Sequence, residues 1–477
     1  MDTLDKAARP SPKVDKRAVL FVAVVASFLT PFMGSSINVA IPSIGREFSA
    51  SAVSLSWIAT VYLLAAAVFL VPIGKIADNT GRRRIFLAGM LGYTIVSLLC
   101  SLATSENVLI ALRGLQGFTD AMMFGTSTAI VTTVFPPQER GRALGINVAG
   151  VYTGLSLGPV IGGSMTHFLG WRSIFLLTAA LGLLAVVLTV RSIKGEWAEM
   201  REEKFDLVGS LMYGITLLAV MYGLSLLPAP LGFWLVLAGL VCLVAFILWE
   251  SRVPNPVLDV GLFRHNVVFS LSLLAALINY AATFALGFML SLYLQYIKGL
   301  DSNTAGMVIL SQPIIMAALS PLAGRLSDHV EARLVASAGM GLTTVGLILV
   351  AFVDAGSSLA YIVAALVFCG LGFALFSSPN MNVVMSSVDK KIYGVAASTV
   401  GVMRLIGQML SMGIAVLIIA TYVGNVQITP DYYPAFISGF RFAFTLFAAL
   451  CLVGLFASLV RAGARPNRQL AHSGKPE

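Results

Sequence analysis

The sequence predicts an all-α integral membrane protein. Hydrophobic residues make up 58% of its 477 positions and charged residues only 11%, a composition that would leave large apolar surfaces in water on a soluble domain. Apolar runs of about 20 residues recur along nearly the whole chain, and a helix of that length crosses the hydrocarbon core of a bilayer. The runs lack the alternation of polar and apolar positions that lines a transmembrane β-barrel, so that class is excluded.

The apolar runs predict fourteen transmembrane helices, joined by short polar connections. In chain order they are 18–40, 53–74, 85–104, 108–133, 143–168, 172–191, 207–227, 231–249, 267–296, 304–325, 334–353, 358–381, 393–421 and 437–460. An even number of spans places the two termini on the same side of the membrane.

The distribution of basic residues supports this count and places both termini in the cytoplasm. Most of the 31 Lys and Arg residues then fall in cytoplasmic loops and tails, as the positive-inside rule requires. The exceptions lie in external loops or within spans: Arg46, Arg172, Lys298, Arg441, Arg113 and Arg404. The net charge of +9 is therefore a signal of topology and requires no nucleic-acid partner.

The chain divides into two six-helix halves around a spacer pair. A Gly, an Asp and an Arg recur at one spacing in "GKIADNTGRR" and in "GRLSDHVEAR", which indicates a parallel duplication. The predicted segments are a cytoplasmic tail 1–17, a first half 18–191, a cytoplasmic linker 192–206, spacer helices 207–249, a cytoplasmic loop 250–266, a second half 267–460 and a cytoplasmic tail 461–477.

Three short motifs resemble those of the major facilitator superfamily, specifically its fourteen-helix drug:proton antiporter branch. "GKIADNTGRRR" resembles the signature between spans 2 and 3, "LIALRGLQG" the span-4 signature, and "GLSLGPVIGG" the span-5 signature associated with exporters. The resemblance covers nearly the whole chain and implies two pseudo-symmetric halves that transport a small molecule. It departs at span 1, where "MGSSINVAIP" places Met33 at a position that is usually acidic in this branch.

The joint between spans 2 and 3 concentrates charge where water can solvate it. Asp78 can accept a hydrogen bond from Arg82, and the flanking glycines permit a tight turn and close backbone approach. These contacts could latch the two halves in one state of a transport cycle, or the arginines could serve only as topology anchors. The candidate gating residues are Gly74, Asp78, Gly81, Arg82 and Arg83 and, in the second copy, Gly324, Asp328 and Arg333.

Span 5 contains small residues at a spacing that lets helices pack closely. Gly154, Gly158 and Gly162 recur every fourth residue, Gly163 follows, and Pro159 removes one backbone hydrogen bond. The pattern predicts a tightly packed hinge, and ordinary membrane packing is the alternative.

Three ionisable residues lie deep within predicted spans, where each is costly unless it is paired or faces a cavity. Arg113 and Asp120 are seven residues apart on one face of span 4, too far for a direct pair, so we expect both to border one polar cavity together with Arg404. Asp120 is the candidate proton carrier. Its alternative role is structural, paired with Arg404 or a backbone donor. The family resemblance implies a coupling or cavity role for Arg113.

Six uncharged polar residues near mid-span are further candidates for the substrate cavity, although single amides in membrane helices often bind a neighbouring helix instead. They are Asn38, Gln116, Asn279, Tyr280, Gln312 and Gln408.

The sequence thus predicts a secondary active transporter in a cell membrane, with protons as the coupling ion, small amphipathic organic compounds as exported substrates, and a monomeric state. No nucleotide-binding P-loop, metal-ligand cluster or nucleophile–base pair is present in the sequence, so we expect neither a cofactor nor an enzymatic activity. Two alternatives stay open: a specific exporter or importer of one metabolite, and a transporter-like membrane sensor that moves nothing.

Overall fold

The computed structural model describes residues 16–192, 205–254, 256–258, 260–388 and 393–460. The tails before and after this range, and most of the linker 192–206, therefore lie outside the described residues. The described chain is helical, which confirms the predicted fold class. The helices are α1 Lys16–Phe48, α2 Ala52–Thr80, α3 Arg82–Ser101, α4 Glu106–Val134, α5 Pro137–Leu169, α6 Arg172–Ser192, α7 Leu207–Leu226, α8 Pro230–Glu250, α9 Val260–His265, α10 Val267–Thr283, α11 Ala285–Leu292, α12 Ser302–His329, α13 Ala332–Ala351, α14 Leu359–Ser386, α15 Tyr393–Tyr422 and α16 Tyr433–Val460.

Thirteen helical segments of the described chain are long and apolar enough to cross a membrane. One of them, Val267–Ile297, combines α10, α11 and a π-helical turn at Tyr293–Ile297. The predicted span 108–133 is present as helix α4, which carries Arg113 and Asp120. It is not one of the thirteen segments. Most helices begin or end several residues beyond the apolar runs, because a helix continues into the polar layer of the membrane after its hydrophobic stretch stops.

The same helix pairings occur in each half of the molecule. In the first half α1 packs on α5, α2 on α4, α3 on α4, and α3 on α6. In the second half the corresponding pairs are α10 with α15, α12 with α14, α13 with α14, and α13 with α16. The two most extensive pairs that join the halves are α5 with α12 and α2 with α15. In the repeat, α5 corresponds to α15 and α2 corresponds to α12. The two joining pairs are therefore equivalent to each other, as expected for halves related by a pseudo-two-fold axis.

The spacer helix α7 contacts both halves. The Tyr213 hydroxyl donates to the carbonyl oxygen of Ala67 on α2 at 3.0 Å, and Met221 packs against Gly413 on α15. Asp206 caps α7 by accepting from the Gly209 N–H at 2.8 Å, as expected for an N-cap aspartate. Helix α7 therefore covers the junction between α2 and α15.

Helix α5 packs on α1 through a stripe of glycines. A side chain at Gly154 would overlap the carbonyl oxygen of Phe28, one at Gly158 would overlap Ser35, and one at Gly162 would lie 2.6 Å from the Cβ of Ser36. The Ser36 hydroxyl in turn donates to the Gly158 carbonyl at 2.9 Å. Glycine is required along this stripe because the two backbones leave no room for a Cβ atom.

The same helix also meets the second half at positions without side-chain bulk. A Cβ atom at Gly163 would overlap the carbonyl oxygen of Ser302, and one at Gly306 of α12 would overlap that of Pro159. The Ser302 hydroxyl donates to the Gly163 carbonyl at 3.1 Å. Helix α5 is thus packed closely on both sides, against α1 within its half and against α12 across the interface.

We expect Gly154→Ala to destabilise the protein. Its Cβ atom would lie 3.0 Å from Pro31 Cγ and 3.1 Å from the Phe32 nitrogen, and such overpacking costs roughly 1–3 kcal/mol. Gly145→Ala on the same helix is the matched control, because no atom lies within 4 Å of its added methyl group. Thermal unfolding in detergent measures both variants. Equal melting temperatures would contradict the close packing of α1 and α5.

The spacer pair predicts opposite labelling of the two ends of α8. In a Cys242→Ser background, Ala229→Cys should react with a membrane-impermeant thiol reagent from outside the cell and Ser251→Cys only from the cytoplasm. The other three cysteines are buried and give little background. Labelling of both positions from the same side would show that α8 does not cross the membrane.

Candidate functional site

A cavity lies between the two halves, near the middle of the helices, and its empty space together with the solvent that opens into it amounts to about 1230 Å³. Helices α1, α2, α4 and α5 line it from the first half, and α10, α11, α12, α14 and α15 from the second. Both halves therefore contribute side chains to one site, so that a movement of one half against the other would change it.

The cavity has an apolar wall with a few polar groups set into it, a pattern typical of sites for amphipathic ligands. The polar lining residues are Thr30, Ser35, Asn38, Tyr62, Asp120, Tyr280, Thr283, Gln312, Arg404 and Gln408. Of the residues selected from the sequence, Asp120, Arg404, Asn38, Tyr280, Gln312 and Gln408 lie in this lining.

Asp120 reaches the cavity from α4 and is 3% exposed. Its Oδ1 accepts a hydrogen bond of 2.5 Å from the Thr30 hydroxyl on α1. In the described structure it forms no ion pair with Arg404 and accepts from no backbone N–H, so neither of the two structural partners suggested from the sequence is present. The carboxyl group is thus held by the Thr30 hydroxyl, has the Tyr62 phenol as a second neutral neighbour, and borders the cavity.

Arg404 lies in the cavity wall contributed by α15 and is partly exposed to the cavity. Its guanidinium carbon is 5.0 Å from the centre of the Phe124 ring on α4, a cation–π distance that spans the two halves. Among the described residues, no hydrogen bond or ion pair engages the guanidinium. Arg404 is thus a cation within the membrane whose donors face the cavity.

Arg113 does not line the cavity, which corrects the expectation that it borders the same space as Asp120. It is fully buried, donates from Nε to the Ile58 carbonyl at 3.2 Å and from a terminal nitrogen to Gln116 Oε1 at 2.5 Å. Its guanidinium carbon lies 4.3 Å from the centre of the Tyr62 ring, and Tyr62 itself lines the cavity. The tyrosine ring therefore lies between Arg113 and the cavity.

Two of the amides selected from the sequence also lie away from the cavity. Gln116 is fully buried and donates from Nε2 to the Ser97 hydroxyl on α3 at 2.8 Å, so it belongs to the Arg113 network. Asn279 is fully buried in α10 outside the cavity lining. The Gln116 amide is thus directed at a neighbouring helix, which the residue type alone could not reveal.

Met33 is fully buried in the hydrophobic core and does not line the cavity. The α1 side chain that contacts Asp120 is Thr30, one helical turn earlier. The position that is acidic in the resembling branch thus carries no polar group here, and the polar contact to α4 comes from a hydroxyl.

Hydrogen bonds join the halves at one end of the cavity, which we term the closed end and define by residues 39–52, 163–167, 295–306 and 425–427. Gln295 donates to the Val39 carbonyl at 2.8 Å, and Gln427 to the Ser49 carbonyl at 2.7 Å. Ser164 donates to Asn303 at 2.7 Å. The two halves are thereby held together by α1, α5, the start of α12 and the connection before α16.

An acidic group at the start of α12 adds a polar contact to the closed end. Asp301 caps the helix, and hydrogen bonds from the Thr304 backbone and hydroxyl hold the pKa of that carboxyl below its usual range. Asp301 therefore stays ionised near neutral pH. It lies 3.7 Å from the Nδ1 of His167 at the end of α5, and this contact becomes an ion pair when the imidazole is protonated.

At the opposite end, the joint between α2 and α3 is tied within the first half. Arg82 donates from Nε to Asp78 at 2.7 Å and from a terminal nitrogen to the Thr133 hydroxyl at the end of α4 at 2.8 Å. The helix α2 continues to Thr80, so Gly74 and Asp78 are helical instead of lying in a loop. Only Gly81, with φ +121°, forms the turn that requires glycine.

Gly74 makes no close contact with another element, since no atom lies within 4 Å of where its side chain would be. This corrects the expectation of close backbone approach at that position. Arg83 opens α3 together with Arg82. The joint thus links α2, α3 and α4 through the aspartate and Arg82.

The second copy of the joint is built differently. Helix α12 continues to His329, so Gly324 is helical, and a side chain there would lie 3.0 Å from the Ser378 hydroxyl. Arg333 pairs with the exposed Glu331 at 2.6 Å. The side chain of Asp328 lies outside the part of the chain that the structure describes.

Sequence reasoning missed several lining residues. Thr30 is one of many hydroxyls in the spans and gave no signal of its own. Phe124 and Phe373 were indistinguishable from lipid-facing phenylalanines, although Phe124 follows Asp120 by one helical turn and could have been placed on the same face.

Comparison with known proteins agrees with this architecture. A sequence profile of the Major Facilitator Superfamily matches residues 23–254 and 272–476. A solved bacterial homologue of the human lysosomal transporter Spinster, in an inward-facing and unoccupied conformation, superimposes with a TM-score of 0.66 over 94% of this chain and 97% of that chain at 17% identity. The low identity limits that likeness to the fold.

Several named transporters are similar over most of the sequence. Riboflavin transporter RibZ of Clostridioides difficile is 28% identical over 93% of this chain and 97% of its own length. Multidrug resistance protein Stp of Mycobacterium tuberculosis is 33% identical over 80% of this chain and 71% of its own length. Cephamycin export protein CmcT of Amycolatopsis lactamdurans is 30% identical over 91% of both chains. Together with the family profile, these likenesses show that the chain is a multi-pass membrane transporter of the major facilitator superfamily, not an enzyme.

Proposed function

We propose that this transporter exports small amphipathic organic compounds from the cell in exchange for protons. The observation that carries the proposal is the cavity between the halves, which is lined by apolar side chains and one carboxyl group, Asp120. Such a site offers an amphipathic molecule a repackable apolar wall. It also offers the coupling ion a single group that can bind and release a proton.

The closed end supports alternating access as the mechanism. With both termini in the cytoplasm, as we propose from the basic residues, that end faces outside and the described conformation is open toward the cytoplasm. Transport would then require the contacts of Gln295, Ser164 and Gln427 to break while the opposite end closes. The glycine contacts of α5 would permit that movement without side chains interlocking across the interface.

Export is favoured over uptake by two independent features. The glycines of α5, Gly154 to Gly163, resemble the span-5 signature associated with exporters, and they pack as a continuous seam. Several relatives are named for export or resistance, including the cephamycin exporter and the multidrug resistance protein Stp. The two spacer helices α7 and α8 support our proposal that the chain belongs to the fourteen-helix drug:proton antiporter branch.

A second candidate function is transport of one specific metabolite, in either direction. The similarity to riboflavin transporter RibZ, which extends over nearly the full length of both chains, supports it. The two candidates differ in breadth of substrate. A susceptibility screen of an efflux-deficient host that expresses this protein, with cationic, neutral and anionic toxic compounds, separates them: resistance to several unrelated compounds supports multidrug export, and resistance to none supports the metabolite transporter.

We expect the protein to act in the cell membrane as a monomer surrounded by lipid. Each half contributes side chains to the single cavity, so that one chain supplies a complete site.

Asp120→Asn should abolish proton-driven accumulation in reconstituted vesicles, because an amide cannot bind and release the coupling proton. Passive exchange of substrate should remain measurable, since Asn can still accept the hydrogen bond from Thr30. Asp120→Glu should retain part of the coupling. Asp431→Asn, at an exposed carboxyl in the connection before α16, serves as the control and should transport normally. Uphill transport by Asp120→Asn with an unchanged dependence on the pH gradient would contradict the coupling role.

Asp78→Asn should lower the transport rate by about tenfold while the amount of protein in the membrane stays normal. The Asp78–Arg82 pair is partly exposed, and such pairs contribute about 1 kcal/mol or less to folding, so a loss of transport would reflect the gating movement. The control is Glu139→Gln, which removes the exposed Lys16–Glu139 pair on the same half. Full activity in Asp78→Asn would show that the joint serves only as a topology anchor.

A further inference from the structure

Arg404 lacks the partner that a cation within a membrane normally has. Its guanidinium has five N–H donors, yet its described contact with protein is the face of the Phe124 ring at 5.0 Å. Arginine in a transmembrane segment is costly and is tolerated where it faces water or a paired charge, and it marks a functional site by default. The donors of Arg404 are therefore available to a molecule in the cavity.

The cavity holds an opposite charge on its other wall. Phe124 follows Asp120 by one turn of α4, which places the two side chains next to each other on the helix surface. Arg404 contacts Phe124 and forms no ion pair with Asp120, so the two charges lie on walls of the cavity that belong to different halves, with a gap between them. The remaining titratable groups in the lining are the phenols of Tyr62 and Tyr280.

Aromatic side chains fill the wall beside this gap. Tyr280 on α10 and Phe373 on α14 form an edge-to-face pair with ring centres 5.5 Å apart. Phe124 presents one ring face to Arg404 on the opposite half. An aromatic ring of a ligand could pack between these groups while its polar substituents reach the two charges.

We propose that the preferred substrates are aromatic compounds that carry both a carboxylate and an ammonium group, with the carboxylate bound by Arg404 and the ammonium by Asp120. This inference rests on the proposed function and names the substrate class of the same cavity. A carboxylate matches the planar fork of a guanidinium, which can donate two parallel hydrogen bonds to it. A cationic group is the complement of the carboxylate of Asp120.

The ammonium group explains how such a substrate could be exchanged for a proton. Substrate ammonium and proton compete for one carboxylate, and ligands that exclude each other move in opposite directions in an alternating-access cycle. A simple anion bound at Arg404 would have the reverse effect. It would neutralise the arginine in place of the Asp120 carboxylate and so favour the protonated form of Asp120. That linkage would produce co-transport, so exchange requires the group that binds Asp120.

Four derivatives of one aromatic amino acid test the assignment. The probes are radiolabelled naphthylalanine, its methyl ester, its N-acetyl derivative and its N-acetyl amide, which carry both charges, the ammonium only, the carboxylate only and neither. Equilibrium dialysis against the purified protein in detergent measures their affinities. The wild-type protein should bind naphthylalanine at least about tenfold more tightly than either singly charged derivative, because each charge pair is a charge-assisted hydrogen bond.

The variants assign each charge to its partner. Arg404→Gln should weaken the binding of the two carboxylate-bearing probes by about tenfold and leave the methyl ester unchanged, with Arg404→Lys intermediate. Asp120→Asn should weaken the two ammonium-bearing probes and should not weaken the N-acetyl derivative, whose carboxylate is favoured by a neutral side chain at position 120. Arg252→Gln removes an exposed arginine just after α8 and should alter no affinity. Unchanged binding of the ester to Arg404→Gln also demonstrates that this variant is folded.

Three results would overturn the assignment. They are equal affinity of the wild type for all four probes, no binding of naphthylalanine to the wild type, and an equal loss of affinity for all four probes in Arg404→Gln. Because dialysis measures binding without a gradient, the result is independent of coupling and direction. Charge-selective binding without uphill transport in vesicles would refute the proposed proton-coupled export and leave the substrate class intact.

Discussion

The structure depends on the close contact that α5 makes with helices on both of its sides. Its glycines bring the α1 backbone near enough that Thr30 of α1 can reach Asp120 of α4, and on the other side Gly163 and Gly306 set the distance between the halves. If these positions carried side chains, α1 would move outward and the cavity would lose the hydroxyl that orients its carboxyl group. Backbone proximity on one helix thus determines the geometry of a site to which α5 itself contributes mainly apolar surface.

The membrane also dictates where polarity can be placed. Some polar side chains in the interior of the molecule bind to one another, as Arg113, Gln116 and Ser97 do, and others line the cavity. The first group stabilises the packing of α2, α3 and α4 next to the cavity. The second group is divided between the halves, with Asp120 on one and Arg404 on the other. A relative movement of the halves therefore changes the distance between the two charges that a ligand encounters.

Much of the fold follows from the sequence because bilayer thickness imposes one length on every span, and apolar runs of that length are easily read. The site follows less completely. The sequence identified Asp120 and Arg404 because a charge within a span demands an explanation, but Arg113 satisfies the same criterion and is enclosed by protein. Which face of a helix meets the cavity depends on contacts between distant segments, such as Tyr62 with Arg113 or Arg404 with Phe124, and no local pattern records them.

The opposed charges in the cavity have a consequence for the response to voltage. With Asp120 ionised, Arg404 and the carboxylate sum to zero, and the empty cavity can change its access from one side to the other without carrying net charge. With Asp120 protonated, as in the proposed exchange, one positive charge is left, and moving it through 100 mV is worth about 2.3 kcal/mol. A membrane potential that is negative inside would therefore pull the proton-loaded protein toward the cytoplasm-facing conformation. The step that carries a zwitterion outward would depend little on voltage, because the charges of the zwitterion cancel.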